Sequence, residues 1–123
     1  MDITKGDENG KQYIVFSLNG KYYGLNIDMI ASIIEKNHSV TRVPDTPEYI
    51  DGVINLRGEI IPVIYLRNRL GLNRVDDNEK TRIIIAKWEE MQVGLIVDQV
   101  YEVLEIYGGE INSTHIFDNE EAP

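Results

Sequence analysis

The chain has 123 residues, which is enough for one domain or for two very small lobes that share a core. Its 12 basic and 21 acidic residues give a net charge of −9, which disfavours binding to nucleic acid or to an anionic membrane surface. The absence of cysteine excludes disulfides, thiol nucleophiles and thiolate metal sites, and it fits a cytosolic protein.

The N-terminal part predicts a leader and then a hairpin. Residues 1–11 are polar and offer nothing to bury, so we expect a flexible leader rather than a signal peptide. Two β-rich runs follow, Tyr13–Leu18 and Lys21–Leu25, on either side of Asn19-Gly20. Because Asn-Gly tolerates the positive φ angles of a two-residue turn, these runs predict a β-hairpin.

The next stretch mixes helical and extended signals. Ile27–Lys36 has apolar residues at helical spacing and then a run that suits a strand, which predicts a short helical turn leading into a strand. Residues 37–52 contain Pro44 and Pro47, which break both helix and sheet. We therefore expect an exposed connector there.

A second hairpin is predicted in the middle of the chain. Val53–Leu56 and Glu59–Tyr65 read as strands that turn at Arg57-Gly58. Pro62 cannot donate a hydrogen bond to a neighbouring strand, so it predicts an edge strand or a bulge.

The remaining elements suggest an all-β architecture. Leu66–Leu72 predicts one or two helical turns ended by Gly71. Further strands are predicted at Thr81–Trp88, Met91–Val100 and Glu102–Tyr107, and the rest is polar and acidic. Six or seven short strands separated by turn signals predict a small β-barrel or a pair of barrels.

The sequence gives little indication of a catalytic site or a metal site. The two histidines, His38 and His115, lie in predicted loops without a visible nucleophile, so a small hydrolase is only a remote alternative. Asp76–Glu79 lacks the spacing and the glycine of a calcium loop. Trp88 ends a predicted strand, where a large ring more often packs than binds. We predict no cofactor, no metal and no enzymatic activity.

Arg57 at the predicted turn has two interpretations. It could pair with a nearby carboxylate such as Glu59 or Glu35, as surface arginines commonly do. Alternatively, it could bind a partner protein, with Val53, Ile54 and Leu56 supplying apolar surface around it. The residues alone leave this choice open.

The pattern as a whole resembles the CheW-like coupling domain of bacterial chemotaxis. The resemblance runs from about Gln12 to Ile106 and is most specific in "PEYIDGVINLRGEIIPVIYLR", Pro47 to Arg67. A second matching stretch is "GLIVDQVYEVLEI".

The resemblance implies two small SH3-like β-barrel lobes packed together, with one or two short helices. It implies a non-catalytic adaptor, a scaffold protein of two-component signalling that couples transmembrane chemoreceptors to the CheA histidine kinase. Receptor tips would dock in the groove between the barrels, and the kinase regulatory domain would pair barrel end to barrel end. Such a protein would be cytoplasmic and associated with receptor arrays, without inserting into the membrane. A CheW-like fragment of a larger signalling protein, such as a CheA regulatory domain or a CheW–receiver fusion, is the alternative.

The resemblance also implies candidate partner-binding residues. Arg57 and Gly58 match the family's N-L-R-G motif, and Tyr65 stands where an aspartate is common. Ser32 takes the place of a usual glutamate. The full candidate set is Arg57, Gly58, Ile30, Ser32, Val53, Leu56, Gly94, Val100 and Val103.

The resemblance weakens towards the C-terminus. We expect a CheW-like domain over residues 12–106, after the leader at 1–11, and a polar acidic tail at 107–123 that lacks a strand segment typical of the family. A barrel without that strand would expose unpaired backbone groups. We therefore expect a covering contact, for example a homodimer formed through the exposed strand edge, or rearranged local packing.

Overall fold

A computed structural model describes residues 11–36 and 40–106, with the backbone alone described over 102–106. A single 3-10 turn, Ile27–Met29, leads into the third strand, and a one-turn helix α1, Leu66–Arg69, follows the fifth. The strands are β1 Lys11–Leu18, β2 Lys21–Asn26, β3 Ile30–Glu35, β4 Ile50–Leu56, β5 Glu59–Tyr65, β6 Arg82–Trp88, β7 Met91–Val97 and β8 Gln99–Ile106.

The strands form two sheets. One has three strands in the order β2-β1-β8, and the other has five in the order β3-β6-β7-β5-β4. Neighbours pair antiparallel except β5 and β7, which run parallel. The predicted fold class, mainly β with two packed lobes and very short helices, is confirmed.

Two hairpins share the same turn geometry. Between β1 and β2, Asn19 and Gly20 have φ angles of 55° and 83°. Between β4 and β5, Arg57 and Gly58 have φ angles of 53° and 87°. Two successive positive φ angles define the turn that matches the right-handed twist of the flanking strands. Both predicted hairpins are therefore confirmed.

The five-stranded sheet curls into a barrel-like lobe. Thr41, which follows β3 in the chain, pairs with Val53 of β4, the strand at the opposite edge of that sheet. Both backbone hydrogen bonds of this pair are 2.9 Å long. The pair brings the two edges together around an apolar core. That core consists of Ile54, Ile61, Val63, Tyr65, Ile83, Ile85 and Ile96.

The three-stranded sheet covers the outer face of this lobe. Phe16 and Leu18 of β1 form a second buried cluster with Ile84 and Val97 of the five-stranded sheet. Within the described residues, β2 and β8 each pair only with β1. The expected homodimer through an exposed strand edge stays a prediction.

Three expectations are wrong. Residues 37–52 do not form an exposed connector throughout, because β4 already begins at Ile50, and Asp51 and Gly52 are buried. The predicted strand Met91–Val100 is broken at Asp98, where the chain passes from the five-stranded to the three-stranded sheet. Pro62 lies in β5, which is flanked by β4 and β7 and is not an edge strand. Its missing N–H is tolerated because the β5–β7 pairing begins only at Val63. Residues 1–10 and 107–123, where we expected the leader and the tail, lie outside the described residues.

Gly52 allows the lobe to close. Its φ is 148°, a value that side-chain-bearing residues rarely adopt, and a Cβ there would overlap the carbonyl oxygen of Thr41. Because Thr41 joins the two edges of the sheet through this backbone contact, any side chain at position 52 forces them apart.

We expect Gly52→Ala to lower the free energy of unfolding by about 3 kcal/mol, because it combines backbone strain with a backbone clash. Urea denaturation measures this change. Gly20→Ala is the matched control: Gly20 also has a positive φ, but an added Cβ would meet nothing within 4 Å. The control should cost about 1 kcal/mol from strain alone, and equal losses in the two variants would contradict the closure argument.

Candidate partner-binding surfaces

Arg57 stands at the tip of the β4–β5 hairpin with an exposed side chain. The turn is held from below, where the Gly58 N–H donates to Oδ1 of Asn55 at 3.1 Å. Among the described residues, no hydrogen bond or ion pair engages the Arg57 guanidinium, and neither Glu59 nor Glu35 pairs with it. The fork of five donors is therefore directed to solvent.

The turn itself does not require an arginine at this position. The β1–β2 hairpin makes the same turn with Asn19, at nearly the same φ. Asparagine adopts left-handed backbone readily, whereas that conformation costs a residue such as arginine roughly 1–2 kcal/mol. Arg57 therefore occupies a position where a less strained residue would serve the fold.

Exposed apolar side chains lie beside this hairpin. Ile60 is 63% exposed, Trp88 57% and Met91 56%. Trp88 and Met91 are cross-strand partners at the end of the β6–β7 hairpin, and Ile60 and Met91 line one shallow pocket with Glu59. We call Arg57, Ile60, Trp88 and Met91 the hairpin-tip surface. Trp88 does not pack into the core, since the residue is 57% exposed.

A second apolar surface lies between the two sheets. Around the buried cluster of β1, β6 and β7 runs a rim of half-buried side chains, which includes the candidate residues Ile30 of β3 and Val100 of β8. We call the cluster and its rim the seam. The rim consists of Tyr23, Leu25, Ile30, Ile33, Leu66, Leu95 and Val100.

Two candidate residues lie on the inner face of the five-stranded sheet instead. Ser32 pairs with Ile85, Ile85 pairs with Gly94, and Gly94 pairs with Val63. Paired residues share a face, and this face is the barrel core. Gly94 is buried, and a Cβ there would lie 2.9 Å from Cγ2 of Ile83. The prediction that Gly94 faces a partner is corrected: it provides close strand packing. Ser32 is half-buried on the edge strand.

The remaining candidates flank the hairpin or belong to β8. Val53 is half-buried and pairs with Pro62, whereas the Leu56 side chain packs against the barrel core. Leu56 therefore supports the hairpin from within. Val103 pairs with Ile14, and its side chain lies outside the described part of the chain.

Tyr65, the departure from the family pattern, has a structural role. Its buried hydroxyl accepts from the Val75 N–H at 2.9 Å and donates to the Val75 carbonyl at 3.1 Å. Arg74 lies over its ring at 3.8 Å from the centroid and pairs with Asp51 at 2.7 Å. Tyr65 thereby fastens the loop before β6 to the barrel, a role that a shorter aspartate side chain could not fill in the same way.

Arg67 and Asp98 join the two lobes. Arg67 Nε and Nη2 donate to the two carboxylate oxygens of Asp98, each at 2.9 Å. These hydrogen bonds are the largest cause of a raised pKa for Arg67, and the partial burial of its side chain works in the opposite direction. Sequence analysis missed this ion pair, because 31 residues separate its members.

The described residues offer no assembled metal site. No group of three or more His, Asp or Glu side chains among them is placed to hold an ion. Asp76–Glu79 is exposed, and Asp77 pairs with Lys36 at 3.0 Å. Both His38 and His115 lie outside the described residues. Over those same ranges, no helix has the length and apolar character needed to cross a membrane.

Comparison with known proteins identifies the family. A model described as the CheW-like domain matches residues 12–123. The chemotaxis protein CheW of Bacillus subtilis (strain 168) is 44% identical over 111 residues, which cover 90% of this chain and 70% of that protein. The chemotaxis protein CheW of Klebsiella aerogenes is 35% identical over 106 residues, which cover 86% of this chain and 63% of that protein.

A solved structure agrees with the sequence comparison. The crystal structure of the scaffolding protein TtCheW from Thermoanaerobacter tengcongensis superposes with a TM-score of 0.80 at 44% identity, and the match covers 84% of this chain and 70% of that one. The chain thus spans between 63% and 70% of the length of these three relatives. Motif, fold and relatives agree, and this chain is a member of the CheW-like domain family.

Proposed function

We propose that the chain is a chemotaxis scaffold that couples cytoplasmic chemoreceptor tips to a CheA-type histidine kinase, through binding alone. Its relatives are named chemotaxis protein CheW, and the superposed structure is that of a scaffolding protein. The two surfaces suit such a role, because one chain can hold two partners at once only if it presents two separate contact areas. The proposed location is the cytoplasm, at arrays of membrane receptors.

The observation that carries this proposal is the state of Arg57. Its guanidinium is exposed and engages none of the described residues, and its backbone adopts a conformation that asparagine would adopt at lower cost. A fold gains nothing from that arrangement, whereas an interface gains a planar group that pairs bidentately with a carboxylate. Arginine is also enriched among residues that dominate binding energy.

Apolar area accompanies the charge on the hairpin-tip surface. Ile60, Trp88 and Met91 are large side chains exposed side by side. Apolar contacts that surround an anchoring arginine exclude water from its ion pair and strengthen it. The seam offers a longer apolar strip between two sheets, and we assign it to a receptor segment.

Arg57→Asn is the sharpest test, because it removes the guanidinium and keeps the turn. The chain already forms this turn with Asn19-Gly20, so we expect the free energy of unfolding to stay equal or to rise slightly. Binding to a receptor fragment or to a CheA regulatory domain, measured separately by isothermal titration calorimetry, should weaken about tenfold or more for at least one of them, roughly 1.4 kcal/mol.

Lys21→Ala is the matched control for charge. Lys21 is an exposed basic residue beside the other hairpin turn, on the three-stranded sheet. The Lys21→Ala variant should bind both partners with the same affinity as the unaltered chain. Unchanged affinity of Arg57→Asn for both partners would refute the proposed role of Arg57.

The apolar part of the hairpin-tip surface has its own test. We expect Ile60→Ser to weaken binding to at least one partner about fivefold or more, through loss of buried apolar area worth about 1 kcal/mol. Stability should change little, because Ile60 is mostly exposed in the free chain. Leu70→Ser is the control, since Leu70 is also an exposed aliphatic side chain, at the end of α1. Equal effects of the two substitutions in calorimetric titrations would show that the surface has no special role.

A further inference from the structure

The Arg67–Asp98 ion pair lies where the two lobes meet. Arg67 belongs to α1, which follows β5 of the five-stranded sheet, and Asp98 is the residue at which the chain crosses to the three-stranded sheet. Oδ2 of Asp98 also accepts from the backbone N–H of Asn19 at 2.8 Å. The Asp98 N–H donates to the Ser17 carbonyl at 3.1 Å. One carboxylate thus ties the β1–β2 turn to the barrel-like lobe.

The geometry of the Arg67–Asp98 pair restricts the positions of both side chains. Both carboxylate oxygens are engaged by the guanidinium, and Arg67 Nη1 also donates to the Asn73 carbonyl at 3.1 Å. The side chains are only 11% and 27% exposed. A two-point contact between planar groups fixes orientation as well as distance, and partial burial protects it from screening by salt.

We call Arg67, Asp98 and Asn19 the junction. Each of these residues directly follows a residue of the seam. Leu66 precedes Arg67, Val97 precedes Asp98, and Leu18 precedes Asn19, and the three apolar residues all belong to the seam. Hydrogen bonds among the polar residues therefore set the spacing of the apolar ones. The junction therefore lies beside the buried cluster, where chain segments of both sheets meet.

We propose that Arg67 and Asp98 are positioning residues that fix the orientation of the three-stranded sheet against the five-stranded lobe, and so shape the seam for a receptor segment. This inference rests on the proposed function for the identity of the ligand. It concerns the relative orientation of two lobes, which exists whether or not a receptor binds. A kinase contact confined to one lobe does not depend on that orientation.

Arg67→Lys and Asp98→Asn test the inference in the full chain. Lysine keeps the charge and loses the fork, and asparagine keeps an acceptor for Asn19 and loses the charge. We expect each to weaken binding of a purified receptor cytoplasmic fragment about tenfold, with a smaller change for the CheA regulatory domain. Asp51→Asn is the matched control, because the Arg74–Asp51 pair of 2.7 Å lies within the five-stranded lobe.

A second readout is independent of any partner. Residual dipolar couplings of backbone amides in β1 and in β6 report the angle between the two sheets. We expect both junction variants to change that angle and Asp51→Asn to preserve it. Backbone chemical shifts should show that each sheet stays intact in all three variants. An unchanged angle in Arg67→Lys and Asp98→Asn would overturn the inference. If the unaltered chain binds no receptor fragment, the proposed function fails, and the couplings still decide the role of this junction.

Discussion

Strand β6 buries apolar side chains on both of its faces, and the arrangement of the two sheets follows from that constraint. Ile83 and Ile85 point into the barrel core, Ile84 points outward, and all three are fully buried. A sheet with one polar face can leave that face in water and needs cover only on the other, whereas a sheet that is apolar on both faces must be covered twice. Curling of the five-stranded sheet covers the inner face, and the three-stranded sheet covers part of the outer one.

Incomplete cover of the outer face creates the candidate binding surfaces. Where β1 reaches, the side chains are buried, and at the margin they are half-buried, as in Ile30, Ile33 and Leu95. Farther along the lobe, at the ends of two hairpins, Ile60 and Trp88 are mostly exposed. Burial thus decreases from the seam to the hairpin tip, while an arginine marks the exposed end. The same apolar character thus stabilises the core and leaves exposed area of the kind found at contact surfaces.

Local patterns predicted the local structure well. Asn19-Gly20 predicted the first hairpin because both residues tolerate positive φ, and the second hairpin was predicted from Gly58 and the two apolar runs that flank it. Alternating apolar runs likewise predicted the strands, because the alternation is visible in neighbouring residues. The exposure of Arg57 was compatible with the sequence but could not be derived from it, because a partner such as Glu59 lay within reach.

Features that depend on distant residues could not be predicted. The break at Asp98 is imposed by hydrogen bonds to Arg67 and to the β1–β2 turn, both far away in the chain. Whether Gly94 faces the barrel core depends on which strands flank β7, and strand order cannot be read from the sequence. Tyr65 belongs to an alternating run that predicted a strand, yet its contact with Val75 depends on the path of a loop.

In our proposal, this fold presents two separate contact surfaces to its partners. Chemical-shift mapping on the isotope-labelled chain tests it most directly, in separate titrations with a receptor fragment and with a CheA regulatory domain. The account predicts shifts along the seam with the receptor fragment, and shifts at the hairpin tip with at least one of the two partners. Shifts confined to other parts of the described chain, such as the loop before β6, or no shifts with either partner, would contradict it.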